Sequence, residues 1–289
     1  MFHLQFFFLA FGVLLFSSVL TAESNCQEVD ILIVAPHPDD EVIGCTGFIM
    51  QALESGKKVA VVVMTNGDGF PKGTSAITSK PREELEPSDF LKLATLRQNQ
   101  SFDGIKVVGL QPTDLSFLSY PDGGLAAIYR SESHVPYRAK HTSKSTTYGL
   151  VVKDYHSAKH GSPANYTKES VLGDLTEIIK ERKPEEIYVT HEVDQHPDHR
   201  AALWFVRDAA KDAKFQGKLF TYLVHGVRLP PGKPRRVKLT CQQLEAKKFA
   251  IGKHKIPTVH DHLVAAHAKE EELFWEIRLD QPSKTPSKN

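Results

Sequence analysis

The 289 residues are 40% hydrophobic and 25% charged, enough apolar material for a full core and too little net polarity for a disordered chain. Thirty-six basic residues face thirty-five acidic ones, a net charge of +1, so no broad field draws nucleic acid or an anionic membrane surface. The three cysteines, Cys26, Cys45 and Cys241, are too few for a disulfide framework and lack the paired spacing of a thiolate zinc site. Cys45 reads as a core residue, while Cys26 and Cys241 can at most form one bridge.

In chain order, residues 6–20 form an uncharged apolar run followed by Thr21-Ala22-Glu23, the pattern of an export signal with a small-residue cleavage site over 1–22. Residues 1–5 carry no Lys or Arg, and the run approaches the ~17 residues that can span a bilayer. A retained N-terminal membrane anchor is therefore the alternative to a secreted, periplasmic or cell-envelope protein. A domain is expected over 29–280, with a disordered tail over 281–289.

Residues 30–35 and 59–64 are β-branched runs of the kind buried on both faces of a sheet. Helices are expected at 40–55 and 83–102, a strand at 106–110, a helix at 168–182, a strand at 186–190, a helix at 197–214 and a strand at 219–225. Strands and helices in alternation imply right-handed crossovers and a single Rossmann-like α/β domain, its mostly parallel sheet flanked by helices. Residues 129–166, rich in Ser, Thr, His and Lys, read as an insertion over one end of the sheet. The basic stretch 230–238 reads as a solvated loop without stacking aromatics, and 241–251 with 260–277 as a final helical region.

The first strand runs into His37-Pro38-Asp39-Asp40-Glu41. Proline suits the first helical position and acids suit the first turn. This is the carboxyl end of a strand, where open α/β sheets bind ligands. His37 and Asp40, three apart across a helix start, can point one way while Asp39 points elsewhere. The strand at 186–190 repeats the arrangement with Asp194-Gln195-His196-Pro197-Asp198-His199. Hydrolytic zinc needs three nitrogen or oxygen ligands and an open position, and His37, Asp40 and His199 supply that set. Asp39 is then the proton acceptor for the attacking water, and His196, held by Asp198, the oxyanion or leaving-group partner. Asp194 either orients a ligand or caps the loop.

These two motifs resemble the signatures of the PIG-L/LmbE-like N-acetylglucosaminyl deacetylases, and the resemblance spans about residues 31–223. Between them, Thr65-Asn66-Gly67, the helix bearing Arg97 and Tyr120-Pro121-Asp122-Gly123-Gly124 fall where the family has a Gly turn, an Arg helix and an Asp-Gly loop. The resemblance implies zinc on His37, Asp40 and His199, Asp39 as general base, His196 as electrophilic or acid partner, and Arg97 and Asp122 near sugar hydroxyls. It implies removal of the acetyl group from an N-acetylglucosamine-containing glycoside, glycan or glycolipid, with no nucleic-acid partner and a membrane only if the N-terminal segment is retained.

Two other functions fit less of the pattern. A metal-dependent esterase or amidase on a non-sugar substrate would use the same groups. A non-catalytic secreted glycan-binding protein would not need Asp39. His134, His141, His156 and His160 read as solvated residues of the insertion, and His254, His260, His262 and His267 stay outside the expected site.

Overall fold

The protein is described from a computed structural model, covering residues 27–226, 228–256 and 262–280. The expected export or anchor segment, Cys26, His260 and the 281–289 tail lie outside the described residues. Among the described residues no helix is long and apolar enough to cross a membrane.

The elements in chain order are β1 (Ile31–Ala35), α1 (Asp40–Glu54), β2 (Val59–Thr65), α2 (Pro71–Thr78), α3 (Pro87–Val107), β3 (Leu115–Tyr120), α4 (Leu125–Arg130), α5 (Tyr155–His160), α6 (Lys168–Arg182), β4 (Glu186–Thr190), α7 (Pro197–Asp212), β5 (Lys218–Tyr222), β6 (Arg235–Lys238), α8 (Cys241–Lys253), α9 (Leu263–His267) and β7 (Glu271–Ile277). The sheet order is β3-β2-β1-β4-β5-β7-β6. The first five strands are parallel and the last two antiparallel. Every residue of β1 and β2 is buried, as strands covered by helices on both faces must be. One face packs against α4, α6 and α7 and the other against α1, α3 and α8.

Chain order reverses direction between β1 and β4, which lie side by side. That reversal opens a crevice at the carboxyl ends of the two strands, and both motifs occupy it.

Three expectations are corrected. Residues 106–110 are not a strand, because α3 runs to Val107 and the chain turns back at Gly109, whose φ is +96°. Ile105, Val108 and Leu110 are apolar because the end of the helix packs into the core, a pattern that a short apolar run does not distinguish from a strand. The third parallel strand is β3.

Residues 271–277 are strand β7 rather than helix. Its glutamates suit a helix by propensity, but Phe274 and Trp275 are buried in the sheet. Glu272 is neutralised by Lys247 Nζ at 2.7 Å and accepts the amides of Gly47 and Phe48. Tertiary pairing overrides local preference there. The basic stretch ends in edge strand β6, where Arg235 pairs with Glu186 and lies over the rings of Phe48 and Phe220.

Beyond α4, residues 131–166 are irregular except for α5 and a single bridge between Thr146 and Asn165. Buried Ala139, Ala164 and Tyr166 hold the segment to the body, and the Tyr148 hydroxyl donates to the buried Asp68 carboxylate in the loop after β2.

Candidate active site

His37 follows β1 directly, and its amide donates to Asp40 Oδ2 at 2.9 Å. His199 lies in the first turn of α7, fully buried. Three atoms converge: His37 Nδ1 is 3.2 Å from Asp40 Oδ2, His199 Nε2 is 3.1 Å from the same oxygen, and the two nitrogens are 3.1 Å apart. A tetrahedral ion bound at about 2.0–2.1 Å separates its ligands by about 3.3 Å. The triangle therefore fits a divalent metal with small adjustments.

Each imidazole is braced on its other nitrogen by a carboxylate. His37 Nε2 lies 3.1 Å from Asp122 Oδ1 and 3.3 Å from Asp198 Oδ2, and His199 Nδ1 lies 3.2 Å from Asp194 Oδ2. Carboxylates in this position fix ring orientation and raise ligand basicity. Burial opposes charge on His37, but Asp122, Asp198 and Asp40 outweigh it and hold the ring well above its usual range. Burial likewise opposes charge on His199, and Asp40 and Asp194 raise it to about 9. Burial would raise the Asp40 carboxyl, yet His199 and His37 hold it well below the usual carboxylate range. The pocket is built to surround positive charge.

Asp39 caps α1 with φ 126° and ψ −29°, a conformation strained for any residue but glycine. Its side chain points toward Arg97. Its Oδ2 meets Arg97 Nη2 at 3.1 Å, and the same nitrogen donates to Pro38 O at 2.6 Å. Arg97 Nη1 donates to Gly67 O at 3.2 Å. A Cβ at Gly67 would come within 2.2 Å of that guanidinium, and its φ is +62°, so a side chain there would displace Arg97 and strain the backbone.

His196 is the N-cap of α7, its Nδ1 accepting the Asp198 amide at 3.2 Å. The neutral ring therefore carries its proton on Nε2. Burial and the neighbouring His37 and His199 charges lower its pKa to about 4, so the ring is neutral near pH 7. It meets His37 edge-on at 4.6 Å. Asp198 does not hold His196 through its carboxylate as expected. That group accepts the amides of Gly123 at 2.6 Å and Leu125 at 3.1 Å and faces His37, because it points into α7's first turn and toward the loop after β3.

A cavity of about 250 Å³ opens over these groups, lined by His37, Asp39, Asp40, Arg97, Asp122, His196 and His225 among others. All eight residues expected at the site come together, six of them lining the cavity, with Asp198 and His199 buried behind it. Arg97 and Asp122 direct their hydrogen bonds to protein groups. Asp122 Oδ2 accepts the Gly69 amide at 2.7 Å while its other oxygen faces His37.

Asp194 caps the loop and also faces His199 Nδ1. It braces His199 and accepts the amides of His196, Val224 and His225. His225 was missed: its ring lies 5.1 Å from that of His199, and Asp40, His199 and His225 form a further group able to share a metal. The signal was a histidine just beyond the end of the strand next to β4. His267, set aside with the C-terminal histidines, meets His225 at 6.2 Å.

Residues 32–210 match the family model described as PIG-L, GlcNAc-PI de-N-acetylase. The chain belongs to the PIG-L family. No curated protein sequence matches it. Among solved structures it is similar to N,N'-diacetylchitobiose deacetylase from Pyrococcus horikoshii, with 17% identity over 89% of this chain and 87% of that one and a TM-score of 0.53. It is similar to the zinc-inhibited form of a teicoplanin deacetylase at 18% identity over 87% and 99%, TM-score 0.54. It is similar too to the 4-carboxy-2-hydroxymuconate hydratase of Pseudomonas putida KT2440 at 15% identity over 86% and 95%, TM-score 0.57. At these identities the likeness establishes the PIG-L fold. The hydratase shows that the fold carries more than one reaction, so the chemistry must be argued from the site.

Proposed function

We propose that this PIG-L family member is a zinc-dependent hydrolase that removes the acetyl group from an N-acetylglucosamine-containing glycoside, glycan or glycolipid, releasing acetate and a free amine. The observation that carries the reading is the convergence of His37 Nδ1, Asp40 Oδ2 and His199 Nε2 beside Asp39 and a neutral His196. When bound, zinc supplies an acidified water and polarises the acetyl carbonyl.

The chain's own groups complete the reaction. Asp39, pinned by Arg97, accepts the proton of the attacking water. His196 Nε2–H donates to the carbonyl oxygen as it gains charge. The proton taken by Asp39 passes to the departing nitrogen as the C–N bond breaks, so one water is consumed and acetate and amine leave. Asp122 and Asp198 hold the His37 ring, and Asp122 and Arg97 wall the place where sugar hydroxyls would lie. The cavity is smaller than the roughly 300–1,000 Å³ of drug-sized sites, which suits one acetamido sugar with the rest of the glycan or lipid outside. The apolar run 6–20 supports an exported or N-terminally anchored enzyme, and hence an envelope, extracellular or lipid-linked substrate.

Metal content and acetate release from N-acetylglucosamine glycosides, chitooligosaccharides and glycolipids, compared with simple acetate esters, test this. We expect one zinc to be lost together with activity in His199→Ala. Asp39→Asn should keep its zinc and lose about 100- to 10,000-fold in rate. Ester cleavage without amide cleavage would move the assignment to an esterase, and unchanged turnover in Asp39→Asn would overturn the mechanism.

A further inference from the structure

A second set of metal-ligating side chains lies outside the active-site cavity, where α5 of the 129–166 segment meets α6. Helix α5 has only six residues and is defined by its caps. Asp154 accepts the Ser157 amide at 3.0 Å and is held by Thr147 Oγ1 at 2.8 Å, and Gly161 closes the helix with φ +80°. A helix this short is not stable on its own; it packs against β3 and reaches α6 through its side chains.

It places His156 and His160 at i and i+4 on one face, with ring centroids 4.5 Å apart. Helix α6 answers with Asp174 and Glu177 at i and i+3. His156 Nδ1 lies 2.7 Å from Asp174 Oδ1, and His160 Nε2 lies 2.9 Å from Glu177 Oε2. Ligand atoms of His156, His160 and Asp174 all fall within 4.8 Å of one another.

Each carboxylate is also steadied by a tyrosine hydroxyl, Tyr120 donating to Asp174 Oδ2 at 2.7 Å and Tyr155 to Glu177 Oε2 at 3.1 Å. Such outer hydrogen bonds fix carboxylate ligands at metal sites. Asp174 is buried, while the His156, His160 and Glu177 side chains are 26%, 41% and 30% exposed, so an ion can reach the group from solvent. Two imidazoles and the Asp174 carboxylate form a donor set suited to zinc and neighbouring divalent ions, with a position left for water.

We propose that His156, His160 and Asp174, with Glu177 held beside His160, bind a second divalent transition-metal ion, which clamps the 129–166 segment onto α6. A His–carboxylate pair at 2.7–2.9 Å needs to open by only a few tenths of an ångström to admit zinc between ligands about 3.3 Å apart.

Full-length protein stripped of metal and titrated with zinc tests the proposal, read by metal analysis and by hydrogen exchange over residues 141–166. Wild type should take two ions per chain, His156→Gln/His160→Gln one, and His199→Ala one. Zinc should slow exchange in the segment at least tenfold in wild type and in His199→Ala, and leave it unchanged in the glutamine double variant. Wild type saturating at one ion with none in His199→Ala, or the double variant binding as many ions as wild type, would overturn the site. Should circular dichroism show the double variant unfolded, His160→Gln alone must weaken the second site at least tenfold, and unchanged affinity there would overturn it equally. Because His199→Ala retains this site, its failure and that of the active-site assignment are distinguishable.

Discussion

Arg97 Nη2 bridges Pro38 O at 2.6 Å and Asp39 Oδ2 at 3.1 Å, so one guanidinium from α3 fixes both the backbone that opens the motif and the side chain that works in it. Arg97→Ala should lower acetate release about 10- to 100-fold with zinc content unchanged, and lower stability by about 1–3 kcal/mol through the unmet carbonyl and carboxylate. Arg97→Lys should not restore the rate, since one ammonium cannot reproduce the planar fork. Steady-state kinetics beside metal analysis decide it, and zinc loss in Arg97→Ala would assign the residue to metal retention instead.

Asp194 faces His199 Nδ1 at 3.2 Å. Asp194→Asn should weaken zinc at the active site about 10- to 100-fold, with His196 and His225 less well placed because their amides lose a charged acceptor. Competition with a chromophoric chelator measures the change, and an affinity within twofold of wild type would show that the contact does not support the ligand.

Zinc must bind neutral imidazole. Asp122, Asp198 and Asp40 around His37, and Asp40 and Asp194 around His199, favour the protonated rings in the metal-free protein. Zinc binding at pH 7 should therefore release between one and two protons at this centre, and affinity should rise with pH toward 9. Calorimetry in buffers of different ionisation enthalpy, on the His156→Gln/His160→Gln background, counts them. Binding without proton release would remove His37 and His199 from the ligand set.

Asp68 is buried, and burial with the nearby Asp122 raises its carboxyl from 3.8 to about 6. The folded protein thus holds a proton there that the unfolded chain gives up, and stability falls as pH rises from about 4 to 6, by roughly 3 kcal/mol across the interval. Above pH 6 this contribution is flat. Asp68→Asn should remove that slope, whereas Tyr148→Phe should extend it upward in pH by deleting the hydroxyl that favours the carboxylate. Urea melts between pH 4 and 7.5 report it, and identical slopes in Asp68→Asn and wild type would rule it out.

Most of the sheet was legible because β1, β2 and β4 are β-branched runs buried on both faces, and each motif sat at a strand end opened by a proline. What failed was local. The end of α3 at Ile105–Val108–Leu110 mimics a strand because core packing, not period, dictates those residues. Strand β7 hides its identity because Glu272 is neutralised only by Lys247, distant in sequence. At the site the residue types were readable, but who braces whom was not. Asp198 turned to His37 and the 123–125 backbone, and Asp194 to His199, because those pairings depend on how α7 leaves β4. His156 and His160, expected to be solvated, meet carboxylates of α6 that no local pattern links to them.

His37 and His199 are 162 residues apart in the chain yet 3.1 Å apart in space. Joining them requires β1 and β4 to pair across the whole first half of the fold, a non-local contact of the kind that forms slowly. Under the proposed function, the chain has no active-site position for the ion and no means of cleaving an amide until that pairing exists. On that reading an active-site ion acts as a check on completion: there it rewards only the closed sheet, by RT ln(1 + [L]/Kd), and metal supply and folding yield become coupled quantities in whatever compartment the chain matures.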